Sequence, residues 1–420
     1  MKTAFAILLL VFAQGGTAFA SVDEFSINAT LIEVVDVQAT RKGILNPENI
    51  LQRRNFGNET ALVSEAQWRG LNLRTRLADK LYRHDGGWRN AGELDIQELS
   101  YEFDFASDYR LSIGKLSESW HVAYAFHPLG FFEPEINRDD LSQRFMKAQG
   151  LPSIVAGYGA EKWDIAFVYS NDFENERDGF NKGLRQWGGR LGMLSENGLE
   201  TSVIIHKPEQ QKMGFGGSAI QVFGNALEMH GSFFMRKGTR RPVHTSVNDD
   251  SLAFYTKDPY QEYRRDDGKW YPRGVLGLQW TSNNLINSVI EWSHDERGLD
   301  NKQWQHWKRL VRFHANTTGV SSAAVTGNLK YDASTLLTSG ARQDYIFLRL
   351  TKGGWDWAPE ASVLVGVADG SAIWNARLAY TAATAWDADI YARISTGNGG
   401  GEFAIGPDKG AVGFSLRYHF

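Results

Sequence analysis

The sequence predicts an all-β fold, a transmembrane antiparallel up-and-down β-barrel of about 18 strands, with sixteen as the alternative tally. Three observations carry that expectation. Segments of roughly ten residues in which apolar and polar side chains alternate recur along most of the chain, and a strand sends successive side chains to opposite faces. The chain ends on one such segment, Ala411-Val412-Gly413-Phe414-Ser415-Leu416-Arg417-Tyr418-His419-Phe420, in which Phe414, Leu416, Tyr418 and Phe420 share one parity. Mean hydropathy is only -0.38, yet the chain carries 14 Trp, 15 Tyr and 24 Phe. That combination suits a wall in which alternate residues meet lipid and aromatic girdles mark both interfaces.

The N-terminus reads as a secretory signal peptide over residues 1–20. Lys2 supplies the positive end, Ala4 to Ala13 an apolar run, and Ala18-Phe19-Ala20 a small-x-small cleavage site before Ser21. The apolar run is too short to span a bilayer, which needs about 20 residues. No cysteine is present, which excludes disulfides and thiolate chemistry. A net charge of -4 argues against a nucleic-acid partner.

Residues 21–60 read as an N-terminal segment, either a strap or a first strand: Phe25, Ile27, Ala29 and Leu31 alternate, and Asn46-Pro47-Glu48-Asn49 is turn chemistry. Residues 61–420 form the barrel as one domain, with a first wall strand expected near 63–78, where Leu71, Leu73, Thr75 and Leu77 oppose Asn72, Arg74 and Arg76. Leu99, Tyr101, Phe103 and Phe105 oppose Glu98, Ser100, Glu102 and Asp104. The same grammar returns at Trp163 to Tyr169, Leu199 to Ile205, Leu227 to Met235, Leu276 to Trp292, and Trp374 to Ile394. Short connections at Ser107-Asp108, Gly159-Ala160, Ser195 to Gly198, Asn225-Ala226, Ser282 to Asn284 and Ala382 to Thr384 are expected as periplasmic turns. Longer ones at 119–152, 171–184, 237–271, 294–305 and 396–410 are expected as extracellular loops.

The loop 118–152 is the most individual stretch. His127-Pro128-Leu129-Gly130-Phe131-Phe132 is apolar enough to wedge against an inner wall, and Asn137 to Asp140 has the chemistry to cap a short helix. Folded inward as a constriction or plug, the loop brings Arg138, Asp139, Asp140, Arg144 and Lys147 into the pore. Loop 237–271 interleaves Lys237, Arg240, Arg241, Arg264 and Arg265 with aromatic residues, a pattern suited to sugars, anionic polymers or lipopolysaccharide phosphates. Asn171 to Asp178 is acidic but lacks calcium-loop spacing.

If the aromatic parity meets lipid, the other parity lines water. It carries Arg74, Arg76, Arg110, Lys162, Arg190, Arg236, Lys308, Arg312, Lys330, Arg349, Arg377, Arg393 and Arg417 against Glu98, Glu102, Asp104, Asp164, Glu200, Glu228, Glu291, Asp387 and Asp389. The cationic excess predicts weak anion selectivity. The competing reading is that these charges pair across strands and brace the wall. No Gly-x-Ser-x-Gly elbow, His-Glu-x-x-His or zinc-ligand spacing occurs, so neither an enzyme, a metal nor a cofactor is expected.

The signal peptide, the repeated alternation and the terminal Tyr418-His419-Phe420 resemble a Gram-negative outer-membrane porin or porin-like barrel over nearly the whole mature chain. The resemblance implies an outer-membrane location among lipids and lipopolysaccharide. It also implies recognition of Phe414, Leu416, Tyr418 and Phe420 by the barrel-assembly machinery, and passive diffusion of small hydrophilic or anionic solutes. An Arg-bearing lumen of about 18 strands is also similar to alginate-export barrels, which implies polysaccharide export or anchoring as the alternative. Glu98, Glu102, Asp104, Asp387 and Asp389 dilute the basic lining such a channel wants. No residue pattern signals an oligomeric state.

Overall fold

The structure, a computed structural model, describes residues 25–47, 54–84, 87–106, 108–133, 149–171, 185–239, 265–337, 340–354, 356–381 and 385–420. Eighteen strands follow one another around a closed antiparallel ring. They are β1 Phe25–Thr40, β2 Phe56–Trp68, β3 Leu71–His84, β4 Gly87–Ala106, β5 Tyr109–Leu116, β6 Leu151–Gly159, β7 Trp163–Asn171, β8 Arg185–Leu194 and β9 Glu200–Pro208. The second half comprises β10 Gly214–Phe223, β11 Leu227–Thr239, β12 Arg265–Thr281, β13 Ile286–Asp295, β14 Asp344–Lys352, β15 Trp357–Gly366, β16 Ala372–Tyr380, β17 Trp386–Thr396 and β18 Asp408–His419. Three helices complete the described residues: α1 Asn301–Asn316, α2 Ser322–Leu337 and the short α3 Glu402–Ile405.

Closure is made by the two ends of the chain. β18 pairs with β17 on one side and with β1 on the other, in a register running from Thr30 opposite His419 to Thr40 opposite Asp408. Every strand therefore has both edges occupied, which a membrane-spanning sheet requires because lipid offers no hydrogen bonds. The wall begins at Phe25 rather than near residue 63, and the boundary expected at residue 61 falls inside β2. The stretch 63–78 is broken at Arg69 and Gly70, both at positive φ (45° and 84°), as a two-residue primed hairpin demands. A Cβ on Gly70 would lie 2.3 Å from the carbonyl oxygen of Glu102, so only glycine fits this turn.

The alternation sorts the wall as the sequence implies. Phe414, Leu416, Tyr418 and Phe420 are exposed on the outside, whereas Ser415 and Asp389 are buried within. Outward rings gather at both ends. Trp357, Tyr380 and Trp386 follow one another at 4.8 and 5.3 Å at the short-turn end, as do Tyr109, Tyr158 and Trp163 at 4.8 and 5.1 Å. Phe56–Trp88 and Phe215–Trp270, each at 5.6 Å, mark the long-loop end. Polar residues on the outer face cluster on β1–β3. There the Glu33 carboxylate accepts hydrogen bonds from Asn58 and Thr60, which satisfies it beside lipid.

The connections expected to be periplasmic turns fall at one end of the barrel. The opposite end carries the long ones together with shorter ones between β3 and β4, β9 and β10, and β15 and β16, and there the sequence expectation fails at one place. Lys308, Arg312 and Lys330 are not on wall strands: the connection between β13 and β14 folds as α1 and α2. Asp300 caps α1 by accepting from the Gln303 amide at 2.8 Å, while the Gln303 side chain accepts from the Asp300 amide at 3.1 Å. Trp304, Trp307 and Val311 make one buried face, packed with Leu329 and Ala333 of α2, Leu45 of the β1–β2 connection, and Ile405 of α3. Alternation cannot describe this segment because its period is helical.

Candidate pore constriction

The connection between β5 and β6 enters the lumen. At its root, Arg110 donates to Glu118 at 2.8 Å and the Trp120 indole donates to the same carboxylate at 3.2 Å. Trp120, Leu129 and Phe132 are buried against Val155, Ala166, Val168, Ile204 and Phe234, which are inward residues of β6, β7, β9 and β11. The apolar hexapeptide is thus a wedge on the inner wall. Gly188 of β8 makes room for it, since a Cβ there would lie 2.9 Å from Trp120 and 3.0 Å from Phe132. The Phe131 ring stacks on His206 at 4.0 Å, its carbonyl accepts from Gln186 at 3.0 Å, and Arg273 lies over its face at 5.2 Å.

Between these anchors the same segment reaches β13 and β14. The backbone amides of Tyr124 and Ala125 donate to the Glu291 carboxylate of β13 at 2.5 and 2.8 Å. Glu291 is fully buried and also paired with His230 of β11 at 3.0 Å, which Glu228 holds at 3.1 Å on its other nitrogen. The Tyr124 ring stacks on Phe347 at 5.6 Å, and Arg349 sits over it at 4.4 Å. Residues 118–133 therefore touch β6–β9 and β11–β14, an arc of about half the 18-stranded ring. A segment laid over that arc narrows the lumen. Arg138, Asp139, Asp140, Arg144 and Lys147 lie outside the described residues.

The predicted wall residues face inward, and most are tied to a neighbour. Arg417 is paired with Asp387, and lies 3.3 Å from Asp389, which also takes Arg377 at 3.4 Å and the Ser415 hydroxyl at 2.7 Å. Arg349 grips Glu360 through two bonds of 3.0 and 2.9 Å. Arg190 bridges Asp164 and Glu200 at 3.2 and 3.6 Å. Arg74 lies 3.7 Å from Glu98, and Arg76 is paired with Glu59. Glu102 and Arg393 share the inner face by register, opposite Ser112 and Ala411. Of the residues expected to line water, Lys308, Arg312 and Lys330 stand elsewhere, on α1 and α2, and Lys162 lies in the turn between β6 and β7. Arg236 differs in its partners: it donates to Gln211 at 2.8 Å and contacts His206 at 2.6 Å. With Arg273 and Arg297 it forms a group of three guanidiniums within electrostatic reach of one another, against Asp295.

Sequence reasoning missed the pieces that fix the segment to β13. Glu291 was legible only as an inward charge, and nothing local marks Tyr124 or His230 as its partners. It also missed a cluster on the segment itself. His121 and His127 stack face to face at 3.5 Å, His121 Nε2 lies 3.2 Å from Glu133, and nitrogen and oxygen atoms of all three lie within 4.8 Å of one another. Burial opposes ionisation of Glu133, but hydrogen bonds from His121 and Ser119 outweigh it and keep the carboxyl below its usual range.

No protein-family model matches this sequence, and no curated protein matches it. Solved structures from Pseudomonas aeruginosa share its fold at low identity. OccK5 (OpdH) aligns with a TM-score of 0.54 and 10% identity over 95% of this chain and 98% of that one. OccK7 (OpdD) gives 0.53 and 10% over 95% and 99%. The outer membrane protein OprD gives 0.51 and 8% over 96% of both chains. In fold, the chain is a Gram-negative porin-like barrel of eighteen strands.

Proposed function

We propose that the protein is an outer-membrane channel for passive diffusion of small hydrophilic solutes, with a weak preference for anions. The observation that carries this reading is the segment 118–133, fixed on the inner wall from β6 to β14 of a barrel whose interior is lined by charge. A polar interior gives water a path, and a fixed segment sets the size limit. The short-turn end faces the periplasm in this reading and the long-loop end faces outward, after removal of residues 1–20. Phe414, Leu416, Tyr418 and Phe420 engage the assembly machinery, and the outer loops meet lipopolysaccharide.

The anion preference is weak because cross-strand carboxylates offset most wall arginines; Arg236 and Arg273 beside the wedge supply the bias, while Arg297 is tied to Asp295. This offset also leaves the polysaccharide-export alternative without the continuous basic lining that a polyanion needs. Glu291→Ala removes the acceptor for Tyr124 and Ala125, so it is expected to raise single-channel conductance in planar bilayers and to admit larger sugars in liposome swelling. A conductance and size limit equal to those of the wild type would overturn the gating role of the segment. No sugar entry into wild-type vesicles would overturn the diffusion channel.

A further inference from the structure

We propose that the segment 118–133 inside the barrel carries a binding site for a divalent transition metal of the zinc class, formed by His121, His127 and Glu133. Two imidazoles and one carboxylate are a ligand set that suits zinc and its neighbours, whereas calcium and magnesium want more oxygen. The three side chains are brought together by the fold of the segment. Glu118 and Phe132 form a β-bridge, and the Gly130 amide donates to the His127 carbonyl at 3.1 Å, which turns Glu133 back toward His121. The donor atoms of all three residues lie within 4.8 Å of one another. A metal at about 2.0–2.2 Å from each ligand requires the two imidazoles to turn out of their parallel stack so that their nitrogen lone pairs converge on it.

A second feature points the same way. His121 Nδ1 is buried and has no hydrogen-bond partner among the described residues. A buried polar nitrogen left unsatisfied calls for a partner, and a ring flip presents either nitrogen of His121 to a bound ion. His127 is exposed while His121 and Glu133 are half-buried, so three protein ligands would leave a fourth position open to water. The ion would close a ring from residue 121 to residue 133 and stiffen the segment between its two wall anchors. This assignment does not depend on what the channel passes, because metal binding is read on the purified protein.

The test is calorimetric titration of the full chain, folded in detergent and stripped with a chelator, with Zn²⁺ alone. Saturable binding at one ion per chain is expected. A His121→Ala/His127→Ala double variant and a Glu133→Gln variant are expected to bind at least about 100-fold more weakly, since even outer-sphere partners are worth 10–100-fold. Circular dichroism confirms that each variant keeps its barrel. A His294→Ala variant, altered at a histidine of β13 outside the cluster, is expected to bind as the wild type does. Co²⁺ in place of Zn²⁺ is expected to give a visible ligand-field spectrum that the double variant lacks. Absence of saturable binding, or binding unchanged in the double variant, would overturn the site.

Discussion

Asp389 shows how much one inward carboxylate does in this wall. It is buried, accepts from Ser415, and faces both Arg377 and Arg417, so it joins three adjacent strands across the closing side of the barrel. Removing one partner of such a group leaves the others under-compensated. Asp389→Asn keeps the size and one acceptor but deletes a negative charge, so anion preference is expected to rise. The zero-current potential in a salt gradient measures this, and a shift toward cation preference would contradict the inward assignment. Inward parity was legible for Asp389 because alternation is local. Partnership was not: Glu291 and Tyr124 are 167 residues apart, and only closure of the ring brings them together.

At the scale of elements, the wedge and the helical pair differ in how openly they announce themselves. His127 to Phe132 is conspicuous as an apolar run inside a polar loop, and its burial follows from hydrophobic transfer once a glycine-notched wall lies beside it. Phe132→Ala is expected to weaken docking of the segment by about 3 kcal/mol through the lost contacts and the cavity they leave. Hydrogen exchange of residues 118–133 measures it, and unchanged protection would show that the Glu291 clamp alone holds the segment.

The helices were equally legible, through the Asp300–Gln303 capping box and the spacing of Trp304, Trp307, Val311 and His314. They are lost only when the alternation of the wall is carried through them. His314 and Asp332 join α1 to α2 at 2.7 Å, both almost fully buried. Burial raises the Asp332 carboxyl, and the His314 hydrogen bond offsets this only in part. A raised folded value means that the contribution is fully present below the unfolded carboxyl value, near about 3.9, and is lost as pH rises through the higher folded one. Protection of the α1 and α2 amides, corrected for intrinsic exchange, is therefore expected to fall over that window. Asp332→Asn is expected to flatten the dependence, and a slope unchanged by that substitution would assign it to another group.

For the whole molecule, the number of strands and the manner of closure have different origins in the sequence. A tally from residues 63–78 to Phe420 reaches about 18 only by taking wall strands from the region of Lys308, Arg312 and Lys330, which is helical. β1 and β2 make up that difference. Closure has no local signal, because it depends on which early strand meets the last one. It is nonetheless open to a direct test, since the chain has no cysteine of its own. Thr30 and His419 are Cα partners across the β1–β18 seam, with their side chains 3.1 Å apart. The Phe420 amide donates to Ala29, so the adjacent Thr30–His419 pair is a non-hydrogen-bonded one, where Cα atoms lie about 4.5 Å apart and a disulfide is permitted. Thr30→Cys with His419→Cys is expected to cross-link on mild oxidation and to yield a single linked peptide by mass spectrometry. The same pairing with the register moved by one, Thr30→Cys with Tyr418→Cys, places the two side chains on opposite faces and is expected to stay reduced. Linkage of the second pair in preference to the first, or of neither, would mean that the two ends of the chain do not close the barrel in this register.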